Sequence, residues 1–297
     1  MNFRRQIEER DFTITVEIDP PKGPGIKKIM SRLAPLIPQV DALNISYCPV
    51  AQLRMDPLAF AQLLNREFEV EVILHLTMRD LSLLGLHSYL LGASALGYHN
   101  ILAMTGDAAK HSDVSGTKGV FQSNSLELIK IIQNLNSGQT ISAKRLNKKT
   151  KFFVGATANP SAMNLTNEVK RIHKKFEAGA QYFQTQPLFL EKSVKVFYEY
   201  AGELPAPLLM GNMLLKSYES SLWLNAHVPG LFVPAEILER LKNKDTQDEG
   251  IQVSLDFWHS SCQYLDGIHL FPMNNYEALG ELLQEIRSNL RAAKKIS

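Results

Sequence analysis

The chain predicts an α/β fold of the (β/α)8 TIM-barrel class. Three observations carry that expectation. Eight short β-rich runs alternate with longer helical segments along 297 residues. The first run ends in "DPPKGPG", without the glycine-rich phosphate turn that usually follows an early strand of a doubly wound sheet. Polar side chains also gather at the C-terminal ends of several runs, where a barrel carries its active site.

The runs follow in order. "FTITVEI" (12–18) alternates Thr13, Thr15 and Glu17 on one face with Ile14, Val16 and Ile18 on the other. The isoleucines and valine suit the layer of surrounding helices, so Glu17 is expected inside the barrel near its C-terminal mouth. A helical pattern spans 25–37 and the second strand 41–47. The next helix, 56–68, opens with Asp56 as a cap and Pro57 in its first turn. The third strand covers 70–76 and the fourth 100–106. Between them, 81–97 is apolar but interrupted by His87, Ser88 and glycines, too broken for a membrane span of ~20 apolar residues. A long loop, 107–124, follows the fourth strand, a position where long loops are usually functional or mobile.

After a helix at 125–135 comes a second long segment, 136–150. Its basic stretch "AKRLNKKTK" (143–151) reads as a solvated loop, with a hold on ligand phosphates as the alternative. The fifth strand is 151–157, and the helix 165–179 ends at Gly179. Strands six, seven and eight are 181–187, 206–211 and 267–272, and a last helix spans 276–293. The segment 234–250 is expected to add one helix and a polar loop. One barrel domain over 1–297 is the resulting expectation.

Composition narrows the function classes. Thirty-two basic and 30 acidic residues give a net charge of +2, which offers no field for a nucleic acid or a membrane surface. Two cysteines, Cys48 and Cys262, argue against a disulfide scaffold and a thiolate metal site, and fit a reducing compartment. The N-terminus has no apolar core segment of a secretory signal, so a cytoplasmic protein is expected.

The strand ends point to a polar ligand. Beside Glu17 stand His75 and Thr77 of "ILHLT", Thr105, Gly106 and Asp107 of "MTGD", Thr157 and Asn159 of "GATANP", and Gln184 and Gln186 of "FQTQP". A buried acid is often only half of an ion pair, and a lone strand histidine is often a satisfied core residue. Several such groups converging on one mouth are more telling, because leaving each unpartnered costs about 1–3 kcal/mol. Glu17, between Val16 and Ile18, is set to hold a proton, whereas Asp107 at a loop start stays charged. No metal-ligand spacing and no nucleophile elbow is present.

Taken together, "VEIDPPKG", "ILHLT", "MTGD", "FFVGATANP", "KKFEAGAQYFQTQ" and "GIHLFPMN" resemble the methylenetetrahydrofolate reductase family, in order, over roughly residues 12–290. The resemblance implies a flavin-binding barrel that reduces 5,10-methylenetetrahydrofolate to 5-methyltetrahydrofolate by a ping-pong cycle. FAD is the implied flavin, with FMN and a direct hydride transfer without flavin as the alternatives. NADH or NADPH is the implied reductant, with a partner redox protein as the alternative, and the barrel is compatible with a homo-oligomer. By the same resemblance Glu17 is the general acid and Asp107 holds the pterin and steadies its cation. Gln186 bridges substrate and flavin, and Tyr218 stacks on a flat ring from a loop. Ser46, His75, Thr105, Gly106, Asp107, Thr157, Asn159, Glu168, Lys175 and Gln186 fall at flavin-binding positions. Lys175 suits a phosphate and Glu168 a sugar hydroxyl. Two other functions remain open from the residues: a barrel lyase or transferase using Glu17 and His75 without a redox cofactor, and a non-catalytic flavin- or folate-binding subunit of a larger redox complex.

Overall fold

The computed structural model describes residues 2–228, 230–244 and 247–294. Eight parallel strands close in chain order: β1 (Thr13–Ile18), β2 (Ala42–Ile45), β3 (Val72–Thr77), β4 (Asn100–Met104), β5 (Phe153–Ala158), β6 (Tyr182–Pro187), β7 (Leu208–Met213) and β8 (Gly267–Phe271). The ring shuts where β1 pairs with β8, Thr15 opposite His269. This is the (β/α)8 barrel that the alternation implied. The helices are α1 (Phe3–Glu8), α2 (Lys27–Leu33), α3 (Pro57–Glu67), α4 (Leu83–Ala95), α5 (Ser125–Asn136), α6 (Leu165–Glu177), α7 (Glu191–Ala201), α8 (Tyr218–His227), α9 (Ala235–Asn243), α10 (Gln247–Ser261) and α11 (Tyr276–Lys294).

The alternation in β1 is borne out. Ile14, Val16 and Ile18 are at most 1% exposed and join the layer between strands and helices. The inward face has a different character at each level. At the bottom, Phe3 and Ile7 of α1 pack on Ala42, Ile73, Leu102, Phe153, Tyr182 and Leu209. Phe3 meets Tyr182 edge-on at 5.2 Å, so α1 plugs the N-terminal end of the barrel. Above that plug lie Thr15, Asn44, Gln184 and His269, all buried. Glu17 faces the C-terminal mouth.

Several helices match their sequence signals. Asp56 accepts from Ala59 N–H at 3.0 Å and starts α3. Gly179, at φ 114°, follows the end of α6. Others differ for identifiable reasons. The segment 25–37 yields only Lys27–Leu33 as α-helix, because Pro35 and Pro38 have no N–H to continue it. Helix α4 stands where the sequence showed only a broken apolar run. Its leucines surround the helix, with Leu86 and Leu90 buried while Leu84 and Leu91 are exposed, so no stripe marked it. The polar loop expected up to residue 250 is instead interrupted by the start of α10. Gly250 disguised that helix. A Cβ there would collide with the Leu215 carbonyl, so the glycine marks close helix packing and not a turn.

The basic stretch 143–151 joins α5 to the start of β5, at the end of the barrel opposite the mouth. Arg145 forms a short bridge with Gln139 there. The phosphate-holding alternative therefore does not coincide with the mouth, and the solvated-loop reading holds.

Candidate active site

A cavity of about 1000 Å³ opens at the C-terminal mouth. That is the upper end of the range for small-molecule sites. It is lined by Glu17, Ser46, His75, Thr105, Gly106, Asp107, Thr157, Lys175 and Gln186. Strand alternation places them. Most sit at or next to the last inward position of a strand or in the turn that follows, and Lys175 reaches in from α6.

Glu17 lies between two histidines. Its Oε2 is 3.9 Å from His75 Nδ1 and 3.7 Å from His269 Nε2. Burial pushes the Glu17 carboxyl up to about 7, opposed by His75 and reinforced by Asp19 and Asp107. Burial also lowers His75 to about 4 and His269 to about 3, so both rings are neutral near pH 7. A carboxyl that keeps a proton at neutral pH beside neutral imidazoles is suited to donate that proton.

Asp107 behaves otherwise. Its Oδ2 accepts from Val50 N–H at 2.8 Å. The bond ties the loop after β4 to the loop after β2. Asp113 accepts from Leu53 N–H at 2.7 Å, and Gln52 donates to His111 O at 2.8 Å. Buried Arg79 donates to Cys48 O at 3.0 Å and pairs with Asp80 at 2.7 Å. These ties hold Cys48, Val50 and Ala51 at φ 42°, 51° and 58°. A β-branched residue such as Val50 rarely adopts that conformation, and it persists only when its surroundings fix it.

Gly106 completes this wall at φ 93°, where a Cβ would stand 2.9 Å from Thr77 Cβ. Gly106→Ala combines left-handed strain with crowding. We expect it to cost about 2–4 kcal/mol, read as a lower urea midpoint at unchanged slope.

Three of the expected site residues lie elsewhere. Glu168 is buried in the first turn of α6, where it accepts from Asn159 N–H at 2.9 Å. Asn159 in turn accepts from Ser161 N–H at 3.0 Å. Both carboxylate and amide fasten the turn between β5 and α6, and neither lines the cavity. Tyr218 is not in a loop. Ser217 and Ser220 form a capping box that starts α8 at Tyr218. Tyr218 is not among the residues lining the cavity, and Lys242 Nζ stands 5.9 Å from its ring centre.

Other residues fill those places. Trp223, further along α8, lines the cavity and stacks on His227 at 4.7 Å, with ring planes 14° apart. Arg171 lines it beside Lys175. Lys175 Nζ donates to Thr157 O at 2.5 Å, and burial lowers it to about 8. His269 is the most informative omission. The alternation of "GIHLFP" puts it on the same face as Gly267 and Phe271, so period-two counting in the eighth strand would have found it. Trp223 gave no such signal, because nothing local says which way α8 turns its rings.

Among the described residues no group of three or more His, Cys, Asp or Glu side chains is placed to hold a metal. No described helix is long and apolar enough to cross a membrane.

The donor set fits a flavin. His75 Nε2 and Thr77 Oγ1, on the cavity wall, are buried without a partner among the described residues. Gly106 brings backbone close to the cavity, and Arg171 and Lys175 set cations at one side. A flat, polar ring system carrying phosphate satisfies each of these.

Fold and mouth together define a (β/α)8-barrel enzyme with a carboxyl of raised pKa in a large pocket at its mouth. The chain belongs to the methylenetetrahydrofolate reductase family, an oxidoreductase family whose profile matches residues 2–287. It is 23% identical to methylenetetrahydrofolate reductase 1 of Schizosaccharomyces pombe over 75% of this chain and 37% of that one. It is 24% identical to a probable NADPH-dependent methylenetetrahydrofolate reductase of Caenorhabditis elegans, over 73% of this chain and 32% of that one. The chain thus spans about a third of the length of these relatives. Among solved structures, the tryptophan synthase α-subunit of Pyrococcus furiosus superimposes with a TM-score of 0.51 at 11% identity, covering 93% of this chain and 98% of that one. Oxaloacetate acetylhydrolase does so with 0.50 at 11%, covering 98% and 85%. At such identity these two speak for the barrel alone.

Proposed function

We propose that the protein reduces 5,10-methylenetetrahydrofolate to 5-methyltetrahydrofolate with a bound flavin, FAD in preference to FMN. The observation that carries the reading is the carboxyl of Glu17, raised to about 7 at the mouth of the barrel in a family of folate reductases.

In this reading Glu17 gives its proton to the folate nitrogen that leaves as the imidazolidine ring opens. The C–N bond breaks, a methylene iminium cation forms on the other nitrogen, and Glu17 is left as carboxylate. The flavin, when bound, supplies the hydride that turns this methylene into methyl. Asp107 steadies the cation and the pterin. Gln186, on the cavity wall, orients pterin against flavin. His75 and Thr77 supply polar partners for the flavin ring, and Arg171 and Lys175 charge for its phosphates. Ser46, Thr105 and Thr157 add hydroxyls to the same wall. The exposed face of Trp223 offers a platform for a second flat ring.

The test is anaerobic stopped flow on protein loaded with FAD. NADH or NADPH should bleach the flavin, and methylenetetrahydrofolate should restore its colour in a separate step. A flavin that is reduced but never reoxidised by folate would overturn the reading and favour a binding subunit. Protein that takes up no flavin would return the lyase alternative.

A further inference from the structure

Below Glu17 the barrel interior is polar at a level where such barrels are mostly filled by aliphatic side chains. Thr15, Asn44, Gln184 and His269, from β1, β2, β6 and β8, are each at most 2% exposed. They form one chain. Asn44 Nδ2 donates to Gln184 Oε1 at 2.5 Å. Gln184 Nε2 donates back to Asn44 Oδ1 at 3.4 Å and onward to Thr15 Oγ1 at 3.3 Å. Thr15 Oγ1 meets His269 Nδ1 at 2.9 Å. The far ring nitrogen, Nε2, stands 3.7 Å from Glu17 Oε2. A hydrophobic layer would satisfy stability without any of these bonds. The chain leads instead to a single carboxyl.

The hydrogen-bond pattern favours one form of His269. Thr15 Oγ1 accepts from Gln184, and among the described residues His269 Nδ1 is the acceptor within reach of its buried hydrogen. A neutral imidazole that accepts at Nδ1 carries its proton on Nε2. In that form an N–H faces Glu17.

We propose that Thr15 and His269 are positioning residues: the interior chain locks His269 in the Nε2–H tautomer, and that N–H stabilises the carboxylate Glu17 becomes once its proton has left. The fixed dipole is in place before the charge develops, so no reorganisation is needed. The 3.7 Å separation is longer than a hydrogen bond, and catalytic contacts of this kind commonly tighten when substrate binds. The other groups facing Glu17 are His75 from β3, Asp19 beyond β1 and Asp107 beyond β4. Both aspartates disfavour the carboxylate. His75 Nε2 has no partner among the described residues, so no second bond fixes the tautomer of that ring. His269 alone of the two is wired to a donor chain. The benefit to folate reduction rests on the function proposed above, whereas the relay itself does not.

The relay is tested on ligand-free protein with glutamate labelled at its side-chain carboxyl, titrated by carbon NMR. Glu17→Gln assigns the Glu17 signal. His269→Phe is expected to raise the Glu17 midpoint by about one unit, through loss of the N–H. His269→Gln, whose amide N–H can occupy the same place, is expected to restore most of it. Thr15→Val should raise the midpoint by less, and Thr15→Ser should restore it. If His269→Phe fails to fold, the Thr15 pair decides the question by the same shift. An unmoved midpoint overturns the proposal, as do equal shifts for Phe and Gln. A midpoint that moves as expected in a protein that never reduces folate would leave the relay standing and remove the substrate. Folate reduction with no midpoint shift would do the reverse.

Discussion

Glu17→Gln is expected to slow reoxidation of the reduced flavin by methylenetetrahydrofolate by about 10²–10⁴-fold, the usual worth of a positioned general acid. Flavin reduction by the nicotinamide nucleotide should stay near the parent rate, because no proton from residue 17 enters that step. In the parent protein the folate step should slow as pH rises through about 7, where Glu17 loses its proton. The same substitution has a thermodynamic signature. The folded state raises this carboxyl from 4.5 to about 7 and so holds a proton that the unfolded chain releases. Stability is fully present below the unfolded value and is lost as pH rises through about 7. A shift of that size corresponds to about 3 kcal/mol. Glu17→Gln removes the penalty, so the variant should melt higher than the parent at pH 8 and lose that advantage near pH 4. A variant that is less stable than the parent at pH 8 would count against a buried, proton-holding Glu17.

Asp107 should show a different division. Asp107→Asn keeps an oxygen for Val50 N–H but loses the charge opposite the iminium. Folate turnover should fall by about 10²–10³-fold with little change in the urea midpoint. Asp107→Ala also strands the Val50 N–H. It should cost a further 1.5–3 kcal/mol or so of stability, the scale of a hydrogen bond to a charged group. Hydrogen exchange at 48–51 should then speed up, because the bond at 2.8 Å helps hold that left-handed run. Equal stability of the two variants would show that the loop does not depend on this carboxylate.

How much of this was legible depended on period and on reach. The strands were legible because alternation is local: Thr13, Thr15 and Glu17 can be assigned to one face from seven letters. The mouth followed, since strand ends in a barrel converge whatever lies between them. Helices with a polar and an apolar side were also legible, whereas α4 and α10 were not. The first is apolar on every side, and the second hides its packing contact behind Gly250. The expected site residues that do not line the cavity, Tyr218, Asn159 and Glu168, all lie beyond a strand end. There the backbone direction is set by caps and turns, which family position does not report. The polar layer under Glu17 was half visible. Gln184 and Thr15 were read on inward faces, but only the closed ring brings them to Asn44 and His269.

The plug at the bottom of the barrel has a consequence for assembly. Phe3 and Ile7 find their partners on strands spread around the whole ring, among them Phe153 and Tyr182 in the second half of the chain. The seat of α1 is therefore complete only when β5 and β6 join β2, β3 and β4 around it. Contacts so distant in sequence are slow to form, so Phe3 and Ile7 gain their full apolar cover only after the second half of the barrel has folded.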